Sequence, residues 1–234
     1  MQYPSPPEPH AALARMPDHD THPTAATRTR TLLNISSSAG GSLPASYLPA
    51  YQPLETGSHD YLLTGFDGDP RSLARGAPDC VHAIYCSHTL EHFPLHDVQA
   101  ILAGAHRILV PGGFLHLRVP DIPALMRLVV ERRLDLDSVL YRAGAGPVTV
   151  RDLLWGHAPS IARERLANPG QAGAAHRTGF SRRTLASALQ RAGFAITYSS
   201  ERRLELSALA FKGTPDPVAC ALFNLTHVPK GTLQ

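Results

Sequence analysis

The segment from Val81 to Val119 constrains the fold more than any other part of the chain. Val81-His82-Ala83-Ile84-Tyr85-Cys86 reads as a buried strand. Between Leu95 and Leu109, Val98, Ile101, Leu102, Ala105, Ile108 and Leu109 recur at the three-and-four spacing of one helical face. Val110-Pro111-Gly112-Gly113 then stops the helix and turns the chain, because proline presets the first turn angle and glycine supplies the positive φ of the second. Phe114-Leu115-His116-Leu117-Arg118-Val119 follows as a second strand. Strand, helix, turn and strand in that order form a βαβ unit, whose crossover makes the two strands parallel. The expected class is therefore α/β with a mostly parallel sheet.

The alternation extends in both directions. Thr31-Leu32-Leu33-Asn34-Ile35 reads as a buried strand that ends in the small-residue turn Ser36-Ser37-Ser38-Ala39-Gly40-Gly41. Tyr61-Leu62-Leu63 is a further strand-like run. A helix is expected from Ile122 to Arg133, with Asp121 as N-cap and Pro123 in the first turn, where its missing donor is harmless. Residues 134–178 read as irregular apart from a short helix around Val150–Trp155. Another helix opens at Ser181, with Phe180 and Leu185 placed as a hydrophobic staple, and closes at Gly193. The apolar stretches at 194–198, 206–211 and 218–225 are the expected closing strands.

Composition bounds what surrounds this core. Residues 1–30 hold six of the 21 prolines and three of the 13 histidines, with almost no periodic apolar pattern, so a disordered tail is expected there. One domain over 31–228 and a tail at 229–234 account for the rest, with 134–178 as a substrate lid. There is no apolar run of the roughly 18 residues that a spanning helix needs, and no basic-then-apolar leader pattern. Cys80, Cys86 and Cys220 form no CxxC pair, which fits a reducing compartment and a cytoplasmic location. Net charge is +3, and the basic pairs Arg132-Arg133, Arg182-Arg183 and Arg202-Arg203 are scattered, two of them beside Glu131 and Glu201. That is the pattern of solvated surfaces and gives no support to a nucleic-acid or membrane partner.

The densest polar cluster is Ser87-His88-Thr89-Leu90-Glu91-His92, directly after a strand. Ligands of open parallel sheets bind beyond the carboxyl ends of strands, so function is expected here. One reading is a zinc hydrolase, since His88 to His92 fits H-x-x-E-H with Glu164 as a candidate third ligand. Against it, Pro94 follows closely and the helical periodicity starts only afterwards, so no metal is expected. A second reading makes His88, Glu91 and His92 structural caps of the strand end.

The third rests on resemblance. Ala83-Ile84-Tyr85-Cys86-Ser87-His88-Thr89-Leu90-Glu91-His92, then Arg107-Ile108-Leu109-Val110-Pro111-Gly112-Gly113, then Val119-Pro120-Asp121 resemble successive motifs of class I S-adenosylmethionine-dependent methyltransferases, the type 11 group in particular. His176-Arg177-Thr178-Gly179-Phe180-Ser181 through Ala192-Gly193-Phe194 is similar to the family's helix before its last strands. Phe211-Lys212-Gly213 is similar to a subgroup associated with sugar or polysaccharide methylation. The resemblance implies a Rossmann-like, doubly wound sheet of seven mostly parallel strands with helices on both faces.

It also implies S-adenosylmethionine as cofactor and a small-molecule or sugar acceptor. The implied cofactor contacts are Asn34, Ser36, Gly40, Gly41, Ser87 and Leu90, with Glu55 or Asp60 on the ribose and Asp67 or Asp69 on the adenine side. His88 or His92, oriented by Glu91, is the implied acid–base pair. Trp155, His157 and His176 lie in the expected lid. Serines stand at 36–38 where the family has Gly-x-Gly, and His82 stands where it often has Asp. The altered loop favours the alternative of a noncatalytic binding or scaffold protein on the same fold.

Overall fold

The computed structural model describes residues 30–35, 61–66, 68–143, 146–157, 161, 175–223 and 225. Its strands in chain order are β1 (Arg30–Asn34), β2 (Tyr61–Gly65), β3 (Val81–Ser87), β4 (Leu109–Pro120), β5 (Val139–Ala143), β6 (Gly146–Thr149), β7 (Ile196–Arg202) and β8 (Glu205–Phe211). Six of them form one sheet in the order β2-β1-β3-β4-β8-β7. β2, β1, β3 and β4 run parallel, whereas β8 pairs antiparallel with β4 and β7 antiparallel with β8. The expected tail, one-residue edge aside, lies outside the described residues, and β1 already starts at Arg30, which pairs with Asp216 at 2.9 Å.

Four expectations are corrected. The sheet has six strands among the described residues, not seven. Between β2 and β3 the chain takes a 3-10 turn over Pro70–Arg75, begun by Asp69, whose carboxylate accepts from the Arg71 amide at 2.9 Å. Asp-Pro at its start and Gly76 at its end favour that turn over an extended strand. The stretch 218–225 is not a strand, because helix Pro217–Leu222 occupies most of it. Asp216 caps that helix by accepting from the Val218 amide at 2.8 Å, and Pro217 fills the first position, where an amide would have no helical partner. The irregular region also holds regular structure, since β5 and β6 pair as a separate antiparallel sheet.

Pro111-Gly112-Gly113 turns within β4 instead of before it. The register with β3 jumps from Val81 opposite Leu109 to Ala83 opposite Phe114. Gly112 has φ 80°, and a Cβ on Gly113 would lie 2.7 Å from the His82 carbonyl oxygen, so both positions exclude side chains.

The helices follow their sequence signals closely. They are α1 (Leu95–Ile108), α2 (Ile122–Arg132), α3 (Val150–Trp155), α4 (Arg182–Arg191) and α5 (Pro217–Leu222). Asp121 accepts from the Ala124 amide at 3.0 Å and caps α2. Ser181 caps α4, and the staple residues Phe180 and Leu185 are each 2% exposed. α1 and α4 cover one face of the sheet, packing on Leu33, Ile84, Cys86, Leu115 and Leu117. α5 lies on the other face with Leu32, Ala83, Tyr85, Phe114 and Phe211. Adjacent residues thus alternate between the faces, as a strand buried on both sides requires, and helices do lie on both. Burying each of these large side chains contributes about 1.5–3 kcal/mol. α2 and α3 share a smaller cluster built on Leu125, Val150 and Leu153. Among the described residues no helix is long and apolar enough to cross a membrane, and the three cysteines are free.

Candidate functional site

β3 delivers the polar cluster to the carboxyl end of the sheet. Beyond Ser87, His88 adopts φ 50°, a left-handed conformation that turns the chain sharply across the strand end. Its amide donates to the Arg118 carbonyl at 2.9 Å, which ties the turn to β4. The buried Thr89 hydroxyl shares its proton between the carbonyls of Ile35 at 3.0 Å and Ser87 at 3.2 Å, and so straps the ends of β1 and β3 together. A 3-10 turn over Leu90–His92 follows, and α1 begins only after Pro94. His88 and His92 therefore share no helix, and the H-x-x-E-H arrangement is not formed. Glu164 lies outside the described residues.

His88 is held between two carboxylates. Its Nδ1 lies 3.1 Å from Glu91 Oε1 and its Nε2 lies 3.1 Å from Glu205 Oε2. A carboxylate only accepts, so both ring nitrogens donate and the ring is an imidazolium. Burial pushes the His88 pKa down, but Glu205 and Glu91 outweigh it and raise it to about 9. Glu205 Oε1 also accepts from Arg118 Nε at 2.9 Å and Nη2 at 2.7 Å. Burial alone would raise the Glu205 carboxyl, whereas His88 and Arg118 together hold it below its ordinary value. Arg118 Nη1 reaches the Tyr85 hydroxyl at 3.4 Å.

Glu91 is 1% exposed. Its backbone carbonyl accepts from the amides of Arg177 at 2.6 Å and Thr178 at 3.1 Å, which fastens the end of the expected lid to the cluster. His176 is thereby brought beside His92, with ring centroids 5.1 Å apart. The His176 amide donates to the Trp155 carbonyl at 3.1 Å, and its Nδ1 donates to the Leu153 carbonyl at 3.0 Å. Burial lowers its pKa.

The other sequence candidates are dispersed. Asn34, 5% exposed at the end of β1, accepts at its carbonyl from the Phe66 amide at 3.0 Å. Ser87 is buried at the end of β3, and Leu90 is fully buried in the core. Asp69 is exposed at its turn and bonds Arg71 Nε at 2.9 Å, while Arg71 also reaches Asp97 at 3.3 Å. Ser36, Gly40, Gly41, Glu55, Asp60 and Asp67 lie outside the described residues. Trp155 is 51% exposed at the end of α3. His82 accepts the Thr31 amide at 3.2 Å, a link between strands. Lys212 is locked against Asp79 and the carbonyls of Arg107 and Leu109 at 2.7, 3.1 and 2.7 Å, so this part of the sugar-associated motif pins the end of α1.

Sequence reasoning missed Thr89, Arg118 and Glu205. Arg118, with His116 two residues before it, interrupts an otherwise apolar strand at a position that alternation leaves legible. Glu205 carries no local signal, because only the pairing of β8 with β4 brings it to the site.

Residues 53–199 match the methyltransferase domain family. No curated protein matches. Among solved structures, the chain is similar to a SAM dependent methyltransferase from Archaeoglobus fulgidus, at 10% identity and a TM-score of 0.44, covering 80% of this chain and 87% of that one. It is also similar to a protein from Bordetella parapertussis, at 12% identity and a TM-score of 0.44, covering 80% and 62%. An O-methyltransferase family protein from Burkholderia thailandensis matches at 13% identity and a TM-score of 0.40, covering 81% and 52%. This chain thus spans less than two thirds of the last two. With more than half of its length matched, the chain belongs to the methyltransferase domain family, within the class I S-adenosylmethionine-dependent superfamily that its motifs resemble.

Proposed function

We propose that the chain is an S-adenosylmethionine-dependent methyltransferase whose acceptor is a small molecule or a sugar or polysaccharide precursor. One observation carries this reading: the charged cluster of His88, Glu91, Glu205 and Arg118 stands beside the point where the strand order reverses, with β2 on one side of β1 and β3 on the other. In parallel sheets that reversal opens the ligand crevice at the carboxyl ends of the strands.

The residues there suit the cofactor. Asn34 and Ser87 place a carboxamide and a hydroxyl at the ends of β1 and β3, and both are buried polar side chains of the kind that meet ribose and amino-acid groups. Gly40, Gly41 and Glu55 are the further candidates from the sequence. When bound, S-adenosylmethionine supplies an electrophilic methyl group. The chain's part is then to hold an acceptor oxygen or nitrogen in line, and positioning of this kind supplies most of the rate in such a transfer. His88, with both nitrogens donating, orients Glu91 and Glu205 and takes no proton. His92, whose Nδ1 donates to the Ala175 carbonyl at 3.4 Å, leaves Nε2 without a hydrogen bond among the described residues. Net charge of +3 with scattered basic pairs supports a small acceptor over nucleic acid.

The test is calorimetry of the full chain with S-adenosylmethionine and its demethylated product, followed by label transfer to panels of small molecules, sugars and nucleic acids. Affinity on the order of micromolar is expected, with label in a small or sugar acceptor. No binding up to millimolar ligand would establish the noncatalytic alternative. Label entering nucleic acid instead would overturn the acceptor class.

A further inference from the structure

Glu91, His92 and His176 each offer one ligand atom, and these three atoms lie within 4.8 Å of one another. We infer that they form a binding site for a zinc-class divalent cation, with two imidazole nitrogens, one carboxylate oxygen and an open fourth position. Four observations converge on it.

Glu91 divides its carboxylate. Oε1 is taken by His88, whereas Oε2 is buried and has no hydrogen-bond partner among the described residues. A buried carboxylate oxygen left without a partner costs about 1–3 kcal/mol or more, and a bound cation removes that cost. The two histidines are also preset as ligands. His176 Nδ1 donates to the Leu153 carbonyl at 3.0 Å and His92 Nδ1 donates to the Ala175 carbonyl at 3.4 Å. Each bond fixes the tautomer that leaves a lone pair on Nε2, which is how metal-binding imidazoles are usually oriented.

His176 is held as a ligand must be, with a backbone carbonyl accepting from Nδ1. It is also rigidly placed, by its own amide on Trp155 and by Arg177 and Thr178 on the Glu91 carbonyl. Two imidazoles and a carboxylate are borderline donors that suit Zn²⁺ over Mg²⁺ or Ca²⁺, and three protein ligands leave a place for water or a substrate oxygen. Both imidazoles are partly exposed, so a cation has access. This set is not the H-x-x-E-H pattern: His88 is absent from it, and His176 comes from the far end of the expected lid. On the methyltransferase reading, and only on it, the fourth position takes the acceptor's oxygen.

The test uses the full chain without a histidine tag, purified from zinc-supplemented culture, dialysed and assayed by elemental analysis. Competition with a chromogenic chelator then gives the Zn²⁺ affinity, and Co²⁺ substitution gives visible bands of a four-coordinate site. One zinc per chain is expected. H92A and H176A should each weaken Zn²⁺ by about 100-fold or more, beyond the 10–100-fold lost with an outer partner. E91Q keeps the side chain's shape and removes the anionic donor, so it tests the site even where an alanine variant misfolds. Circular dichroism confirms that the compared variants are folded. No stoichiometric zinc in the folded chain overturns the proposal, as does zinc retained undiminished in H92A, H176A and E91Q. Binding of S-adenosylmethionine, measured separately, decides the methyltransferase reading whichever way the metal result falls.

Discussion

His88 and Glu205 stand 117 positions apart in the chain and meet at 3.1 Å. The same carboxylate holds Arg118, so one acidic residue on β8 neutralises a cation from the β3 turn and another from β4. In E205Q both cations remain, 38% and 19% exposed, without their shared counter-charge. Breaking a buried pair costs about 3–5 kcal/mol, and partial exposure reduces this to about 2 kcal/mol. Urea denaturation should show that loss. The double variant H88N/E205Q should recover part of it, and a stability equal to that of the unaltered chain would refute the assignment.

The strap at Thr89 gives a second prediction. In T89V the shape is kept, but the carbonyls of Ile35 and Ser87 lose their shared donor. Stability should fall by about 1–2 kcal/mol. Because those carbonyls end the two strands that flank the crevice, affinity for S-adenosylmethionine or its demethylated product should fall as well. Unchanged affinity by calorimetry would separate this strap from the cofactor site.

His116 makes folding sensitive to acid. Burial and the neighbouring Arg118 lower its pKa from 6.5 to about 4, against the opposing pull of Glu205. The unfolded chain binds this proton more readily, so the neutral ring stabilises the fold above about pH 6.5, and the contribution is lost as pH falls towards 4. At about 1.4 kcal/mol per pH unit, up to about 3 kcal/mol is at stake. H116Q, which keeps a polar partner for Ser207, should flatten denaturation midpoints between those limits; an unchanged slope would place the acid sensitivity elsewhere.

Gly104 reverses an ordinary expectation about helices. Alanine inside a helix is better than glycine by about 1 kcal/mol. A Cβ at Gly104, however, would lie 2.5 Å from the Ala74 amide nitrogen and 2.8 Å from the Leu73 carbonyl carbon. Those are backbone atoms of the 3-10 turn, which cannot yield as a side chain can. G104A should therefore be destabilising by about 1–3 kcal/mol in thermal or urea unfolding, with the overpacking exceeding the helical gain.

Periodicity and capping residues made the helices readable. α1 begins at Leu95 as its apolar spacing requires, Asp121 and Ser181 cap where expected, and Phe180 and Leu185 are buried together. The run at 218–225 misled because a short apolar stretch fits a strand or a helix equally well. Asp216-Pro217 decides between them, through a cap that the run itself does not contain. At the site, His88, Glu91 and His92 were legible because they are contiguous. Arg118 and Glu205 were not, since their meeting depends on a register that sets Pro120 opposite Glu205. His176 was placed only in the lid, because backbone bonds to Glu91 bring it in and no spacing encodes them.

The insertion of β8 between β4 and β7 bears on how the chain is made. Ribosomal synthesis releases β4 long before β8, since Leu117 must wait for Ala208 and Phe114 for Phe211. Throughout that interval β4 has β3 on one side and an unpaired, apolar edge on the other. Such an edge is a template for pairing with another nascent chain. Arg118 and the bulge at Gly112-Gly113 are the features of β4 that oppose it, a charge within the strand and a break in its register. Residues that serve the site and the turn in the finished protein thus also guard the chain while it is incomplete.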